Sequence, residues 1–264
     1  AMKAQLLTLP SEEYLADRQA QHGLVDVFEI RGAREDIKKI LATEFEAQWT
    51  SWFSRYENPE TYQANGRQIG QRALRHLALS YLSQARPEAL DWAETLLGKA
   101  DNRSDRLATL RVLVNGGDES TRSTVLGNFY EQWQHEALIV NQWFTLQATR
   151  PSADTVESVI ALQNHGAFDW RNPNKIRALV GGFASANPIA FHRQDGAGYA
   201  FLGDFIARVQ SANPQIAARL CTPLTRFRRY AHGVDAMQSQ LERIAGLDNL
   251  SRDVFEVVGK ALDK

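Results

Sequence analysis

Three times the second half of this chain sets asparagine before proline: Asn172-Pro173-Asn174-Lys175-Ile176, Asn187-Pro188-Ile189-Ala190-Phe191 and Asn213-Pro214-Gln215-Ile216-Ala217. Each pair reads as a helix start. The asparagine oxygen accepts a hydrogen bond from one of the unpaired N–H groups of the first turn. Proline at the first helical position gives up an N–H that had no helical partner and brings a helical φ. Thr222-Pro223 follows the same logic, and Ser152 after Pro151 and Ser251 after Leu250 are further cap candidates. Asn115-Gly116-Gly117 marks a helix end with a restart near Asp118.

Outward from these stops, the apolar residues recur at helical spacing. Ile37, Ile40, Leu41, Phe45, Trp49, Trp52, Phe53 and Tyr56 fall at steps of three and four, which predicts one face of a long helix. Leu74, Leu77, Ala78, Tyr81 and Leu82 repeat the pattern, as do Leu107, Leu110, Val112, Leu113 and Val114. Phe129, Trp133, Leu138, Val140, Trp143, Phe144 and Leu146 continue it, and Val156, Val159, Ile160 and Leu162 add a short stripe. Two-residue alternation is scarce, and Leu24 to Ile30 is the best strand candidate. Stripes and stops together predict roughly a dozen helices of about 8–20 residues. Short connections make consecutive helices antiparallel neighbours, and a series of such pairs stacks as a superhelix. The spacing of the pairs is irregular. The expected fold is therefore all-α, an irregular superhelical stack of antiparallel helix pairs: a degenerate HEAT-like α-solenoid without a clean repeat. No long linker or charge block divides the chain, so residues 1–264 read as one domain.

The bulk numbers exclude several classes. Thirty basic and 31 acidic residues leave a net charge of −1, so no global field draws the chain to nucleic acid or to an anionic membrane. Cys221 is the one cysteine, which rules out an intrachain disulfide and a thiolate zinc cluster and suits a cytoplasmic setting. No apolar run approaches the roughly 20 residues that span a bilayer. The start, Ala1-Met2-Lys3-Ala4, has no apolar signal core, and Ala1 before Met2 reads as an expression scar.

The residues with chemical potential do not assemble into a site. No two of His22, His76, His135, His165, His192 and His232 lie within one helical turn of each other. His135-Glu136 begins an H-E-x-x-H zinc motif, but Ile139 stands where the second histidine belongs. Asp195-Gly196-Ala197-Gly198 resembles the start of a phosphate loop but lacks the preceding strand and the third glycine. It reads as a turn before a helix beginning near Tyr199. Cys221 reads as a buried structural thiol. Arg226, Arg228 and Arg229 with Phe227 and Tyr230 form one basic-aromatic cluster. It is open to three readings: an anion grip, cations at a helix C-terminus, or a contact with another domain.

Four segments resemble the C-terminal domain of bacterial alanyl aminopeptidase, the aminopeptidase N family of zinc metallo-aminopeptidases. They are Val140-Asn141-Gln142-Trp143-Phe144-Thr145-Leu146-Gln147-Ala148-Thr149-Arg150-Pro151, then Asn172 to Phe183, then Asn187 to His192 with Asp195-Gly196-Ala197-Gly198-Tyr199, and Asn213 to Leu220 leading into Arg228-Arg229-Tyr230. Gly246-Leu247-Asp248-Asn249-Leu250-Ser251 also fits. The likeness is dense from about residue 125 onward. Before that it is looser, in Leu7-Thr8-Leu9-Pro10-Ser11 and Leu41-Ala42-Thr43-Glu44.

That resemblance implies a larger enzyme whose catalytic domain carries H-E-x-x-H and a further glutamate on zinc, with the motif's glutamate as general base. None of those motifs occurs in this chain, so the fragment alone is expected to be inactive, with no catalytic or metal residue of its own. The resemblance further implies a helical domain that covers the active-site chamber and limits access to it. Its partners are the other domains of the same chain and peptide substrates, with no nucleic acid and no membrane. Two family positions that face the leaving side of the substrate match Gln215 and Arg219. The helix phase agrees, since residues four apart share a face. Gln can donate and accept along a peptide backbone, and Arg offers a fork for a carboxylate or carbonyl. The alternative is an independent helical-repeat module that grips a peptide or protein. A reading frame extending upstream into H-E-x-x-H decides against that alternative.

Overall fold

The structure is a computed structural model and describes residues 1–56 and 61–263. Among the described residues every regular element is helical, and extended pairing is confined to one parallel bridge between Val25 and Tyr230. The chain forms two compact units. One comprises Ala1–Ser11 and Gly32–Gln132, the other Glu12–Arg31 and Trp133–Lys264.

The first unit is organised by the helix Gly66–Ala85. The Asn65 side chain caps it by accepting from the Gln68 N–H at 2.9 Å. Its buried stripe of Ala78, Leu79, Tyr81 and Leu82 meets Trp49 and Phe53 from Glu46–Arg55 and Ala89, Ala93 and Leu96 from Ala89–Lys99. Trp49 stacks on Tyr81 with ring centroids 4.3 Å apart, and Phe53 stacks on Trp92 at 5.5 Å. Each such pair adds about 0.5–1.5 kcal/mol beyond the area it buries. Helix Arg103–Gly116 ends where Asn115-Gly116-Gly117 announced it, and Asp118 caps the restart at Glu119 by accepting from the Thr121 N–H at 2.8 Å.

The long helix expected from Ile37 to Tyr56 is two helices. Val27–Glu44 ends before Phe45, whose φ of −110° and ψ of 23° leave the helical region, and Glu46–Arg55 follows. On either side of the break the stripe has different fates: Ile37 and Ile40 are exposed, while Trp49 and Phe53 are buried. The indole N–H of Trp49 donates at 2.8 Å to the Leu41 carbonyl, which also accepts from the Phe45 N–H at 3.2 Å. A stripe at helical spacing does not distinguish a continuous helix from two in near register.

The second unit is built from short helices joined by caps. Pro173–Ile176 runs through one π-helical turn, Arg177–Gly181, into Gly182–Ala186. The Thr145 hydroxyl bonds the Ala178 carbonyl at 3.1 Å beside that wider turn. Asn172, Asn187 and Asn213 all cap the helices that begin with their prolines. Asn187, 1% exposed, does more. Its oxygen accepts from the Ala190 N–H, and its amide donates to the carbonyls of Ala148 and Arg150 at 3.0 and 2.7 Å. One side chain thus starts Pro188–Phe191 and closes the end of Ala137–Ala148.

Three sequence expectations fail here for local reasons. Thr222 lies inside the helix Thr222–Thr225, with Cys221 as its N-cap, because the preceding turn places the start one residue earlier. Ser152 bonds the Asp154 side chain, and Asp154 is the N-cap of Thr155–Leu162. Leu24–Ile30 is no strand. Only Val25 pairs, exchanging bonds of 2.9 Å with Arg229 and Ala231. Asp26 then accepts from the N–H groups of Phe28 and Glu29 and starts the helix at Val27. Ser251 does stand at the N-cap of Arg252–Leu262, but without a side-chain cap bond; instead its N–H donates to Gln210 at 2.8 Å. The total of 18 α-helical segments among the described residues exceeds the expected dozen because capped helices of four residues stand on their own.

The first unit also buries a charge cluster. Asp105, fully buried, pairs with the guanidinium of Arg75 at 2.5 Å and with His76 Nε2 at 2.5 Å, and accepts from Asn102 at 2.7 Å. Burial alone would push this carboxyl up, but the hydrogen bonds from His76, Arg75 and Asn102 outweigh it and hold it well below the usual carboxylate range. The folded state therefore binds that proton less tightly than the unfolded chain does. The stabilisation is complete above the unfolded carboxylate value of about 3.9 and is lost as pH falls below it. Asp105→Asn should cost about 3–5 kcal/mol at pH 7 because it leaves Arg75 buried without its counter-charge. Thermal melts of both proteins from pH 7 to 3 should show that gap closing below pH ~4. A gap that stays constant down to pH 3 contradicts this account.

Candidate substrate-facing helix

The helix Pro214–Leu220 carries both residues singled out from the sequence. Helix Ala197–Val209 ends in a tight turn in which the Val209 carbonyl accepts from the N–H groups of Ala212 and Asn213. The Asn213 oxygen then accepts from the Ile216 N–H at 3.1 Å, and Pro214 takes the first helical position. Ile216, Ala217 and Leu220 are buried, which fixes the rotation of the helix. Gln215 and Arg219 fall on the opposite side, one turn apart and exposed. Neither side chain has a hydrogen-bond or ion-pair partner among the described residues. The result is a rigid segment presenting an amide and a guanidinium to solvent.

The surroundings are structural. Cys221 is fully buried. Its thiol donates to the Ala217 carbonyl at 3.3 Å, and burial pushes its pKa up to about 12. The basic cluster divides into three different fates. Arg228 donates to the carbonyls of Ala261 and Leu262 at the end of Arg252–Leu262, where a cation offsets the helix dipole. Arg229 pairs with Asp17 at 2.7 Å. Arg226 is exposed and has no ion pair among the described residues.

The glycine-rich decoy is a turn. Gly196 sits at φ +74° and begins Ala197–Val209, and the backbone of Gly198 lies so close to Phe191 that a Cβ has no room. His192, buried against Tyr199 and Tyr230, has its pKa drawn down to about 4 by burial, so it stays neutral. His135 lies in the turn after Glu119–Trp133. Among the described residues no group of three His, Cys, Asp or Glu side chains could hold a metal, and no helix is long and apolar enough to cross a membrane.

A family described as "Domain of unknown function (DUF3458_C) ARM repeats" matches residues 1–263. The chain belongs to that family. The description agrees with a fold whose regular elements are all helical among the described residues. This DUF3458_C chain is similar to part of several longer proteins. Aminopeptidase N of Escherichia coli (strain K12) is 36% identical over 267 residues, covering 99% of this chain and 30% of that protein. Aminopeptidase N of Caulobacter vibrioides is 38% identical over 265 residues, covering 99% and 30%. That of Haemophilus influenzae is 36% identical over 258 residues, covering 97% and 29%. The crystal structure of Legionella pneumophila aminopeptidase A in complex with aspartic acid superposes with a TM-score of 0.89 at 29% identity. The match covers 98% of this chain and 31% of that one. The DUF3458_C chain thus spans less than a third of the proteins it matches.

The buried thiol supplies a direct check on the packing of this helix. Cys221 should resist an aromatic disulfide reagent at pH 8 and react fully once denaturant unfolds the chain. Rapid labelling of the native protein would show that the base of Pro214–Leu220 is not packed as described.

Proposed function

We propose that this chain is the non-catalytic C-terminal helical domain, residues 1–264, of a cytoplasmic zinc-dependent alanyl aminopeptidase that removes N-terminal residues from peptides. It covers the active-site chamber, limits access to it, and places Gln215 and Arg219 on the rim at the leaving side. The observation that carries this reading is the exposed, unpaired Gln215–Arg219 pair on a helix whose other face is locked into the core. It stands in a chain that matches 30% of aminopeptidase N over nearly its full length. A peptide beyond the scissile bond offers carbonyls, N–H groups and a terminal carboxylate. Gln both donates and accepts along such a backbone, and Arg supplies a charge-assisted fork. Covering the chamber excludes water and strengthens the electrostatics inside it. Among the described residues no group of three His, Cys, Asp or Glu side chains could hold a metal, and this reading assigns the zinc and the hydrolytic step to the rest of the parent enzyme.

The same reading weighs against an independent helical-repeat binding module, since the relatives carry this segment within proteins more than three times as long. An alanyl chromogenic substrate tests it directly. The fragment with added zinc should show no turnover. Mixed with the remainder of the enzyme, it should alter the rate or the preference for peptide length. Zinc-dependent turnover by the purified fragment alone refutes the non-catalytic assignment.

Within the full enzyme, Arg219→Ala should raise KM for tripeptides and longer substrates about tenfold, the equivalent of about 1.4 kcal/mol. It should leave the single-residue chromogenic substrate nearly unaffected. Unchanged kinetics on both classes would remove Arg219 from the rim.

A further inference from the structure

The helix Gly66–Ala85 buries two arginines in the first unit, and one of them lacks an acid. Arg75, 1% exposed, pairs with the Asp105 carboxylate and donates to the Tyr56 carbonyl. Arg72 stands nearly one turn earlier on the same face and is 9% exposed. Its Nη1 donates to Gln68 Oε1 at 3.2 Å, and its guanidinium lies 4.9 Å from the centre of the Tyr62 ring. No ion pair engages it among the described residues.

The groups around Arg72 are occupied. The Gln68 oxygen also accepts from the Gln63 N–H at 2.8 Å, which fills both its lone pairs, and the Gln68 amide donates to the Thr61 carbonyl at 3.0 Å. Asp101 accepts from the Tyr62 N–H at 3.3 Å and from the Asn102 amide at 3.0 Å. Asp105 accepts from Asn102 at 2.7 Å and holds Arg75 and His76. These bonds close a circuit. It runs from Arg72 through Gln68 to Thr61 and Tyr62, then through Asp101, Asn102 and Asp105 to Arg75 on the starting helix. All the groups therefore share one site. Arg75 Nε is sealed from solvent without a hydrogen bond, whereas no nitrogen of Arg72 is among the sealed, unbonded atoms.

We propose that Arg72, covered by Tyr62 and held by Gln68, binds a carboxylate through its free guanidinium edge. The inference is independent of the aminopeptidase reading. A charge taken out of water needs a counter-charge close by, and within the circuit Arg72 has none. One free fork matches the two oxygens of one carboxylate. A phosphate dianion needs a second cation, and Arg75 is already neutralised by Asp105.

Thermal melts of the 264-residue chain in a buffer free of carboxylates test the proposal, with sodium acetate set against sodium chloride at equal ionic strength. Acetate should raise the Tm saturably, by about 3–5 °C once it is about tenfold above its Kd. Arg72→Met should abolish the acetate-specific rise. Without acetate it should melt no lower than the parent, because it removes an unpaired buried charge. Arg72→Lys keeps the charge but loses the fork, and should weaken acetate about tenfold. Arg252→Gln, on the last helix, should change nothing. Triglycine and its C-terminal amide separate two sources of carboxylate. A rise with triglycine but not with the amide assigns the site to a polypeptide end, and a rise with acetate alone assigns it to a free small acid. Equal melts in acetate and chloride overturn the proposal, as does a rise that survives in Arg72→Met. A much lower melt of Arg72→Met without acetate also overturns it, since the charge is then satisfied within the chain. So does a larger Arg72-dependent rise with phosphate, in favour of a tetrahedral dianion. Glu57 and Glu60 precede Thr61 in sequence and lie outside the described residues. If acetate acts only after both are changed to Gln, the chain's own acid fills the site and the proposal falls.

Discussion

The architecture rests on how its helix ends are closed. Each α-helix leaves four N–H groups and four carbonyls without helical partners. In a helix of four residues, such as Pro188–Phe191, that is nearly the whole backbone. Buried and unpaired, each such group costs about 1–3 kcal/mol. The second unit meets this demand with buried amides. Asn187 serves two helix ends at once, and Gln210 reaches from the end of Ala197–Val209 to the N–H of Ser251 at the start of the last helix. Arg228 then closes the far end of that last helix. These contacts convert fragments too short to be stable alone into a fixed frame.

That constraint explains which parts of the fold were legible in the sequence. Asn-Pro is a complete signal because both residues act on the turn they begin, and all three instances start helices. Thr222-Pro223 and Ser152 carry similar chemistry but lie a residue or two from the true start. The start there depends on where the preceding turn leaves the backbone, as set by packing. Leu24–Ile30 misleads in the same way. Its alternation is real, yet Asp26 caps a helix in the middle of it. The Ile37–Tyr56 stripe hides a break because a single residue, Phe45, separates the two helices, so the apolar spacing continues across it. Asp105 was invisible for a different reason: its partners Arg75 and His76 lie about 30 residues earlier, on another helix.

The same distinction runs through the charged surface. Arg228, Arg229 and Arg219 are neighbours in sequence and alike in chemistry, but their environments separate them. Arg228 meets helix carbonyls and Arg229 meets Asp17, so both are occupied by the fold itself. Arg219 projects from the far side of a helix whose buried face leaves it nothing to bond. Helix phase made its exposure readable. A role in handling peptides came only from the family resemblance, since one exposed arginine resembles any other.

On the proposed reading this chain acts by where it holds its side chains, and there the frame and the exposed groups are complementary. An arginine on a mobile loop loses both backbone and side-chain freedom when it grips a ligand, at about 1–2 kcal/mol for each backbone residue fixed. Arg219 and Gln215 stand on a turn already fixed by Asn213, Pro214 and three buried apolar residues, so only their side chains remain to be ordered. On that reading the caps that make short helices possible also lower the entropic cost of recognition. The irregular succession of such helices allows each exposed pair to be aimed separately, which a single long helix could not do.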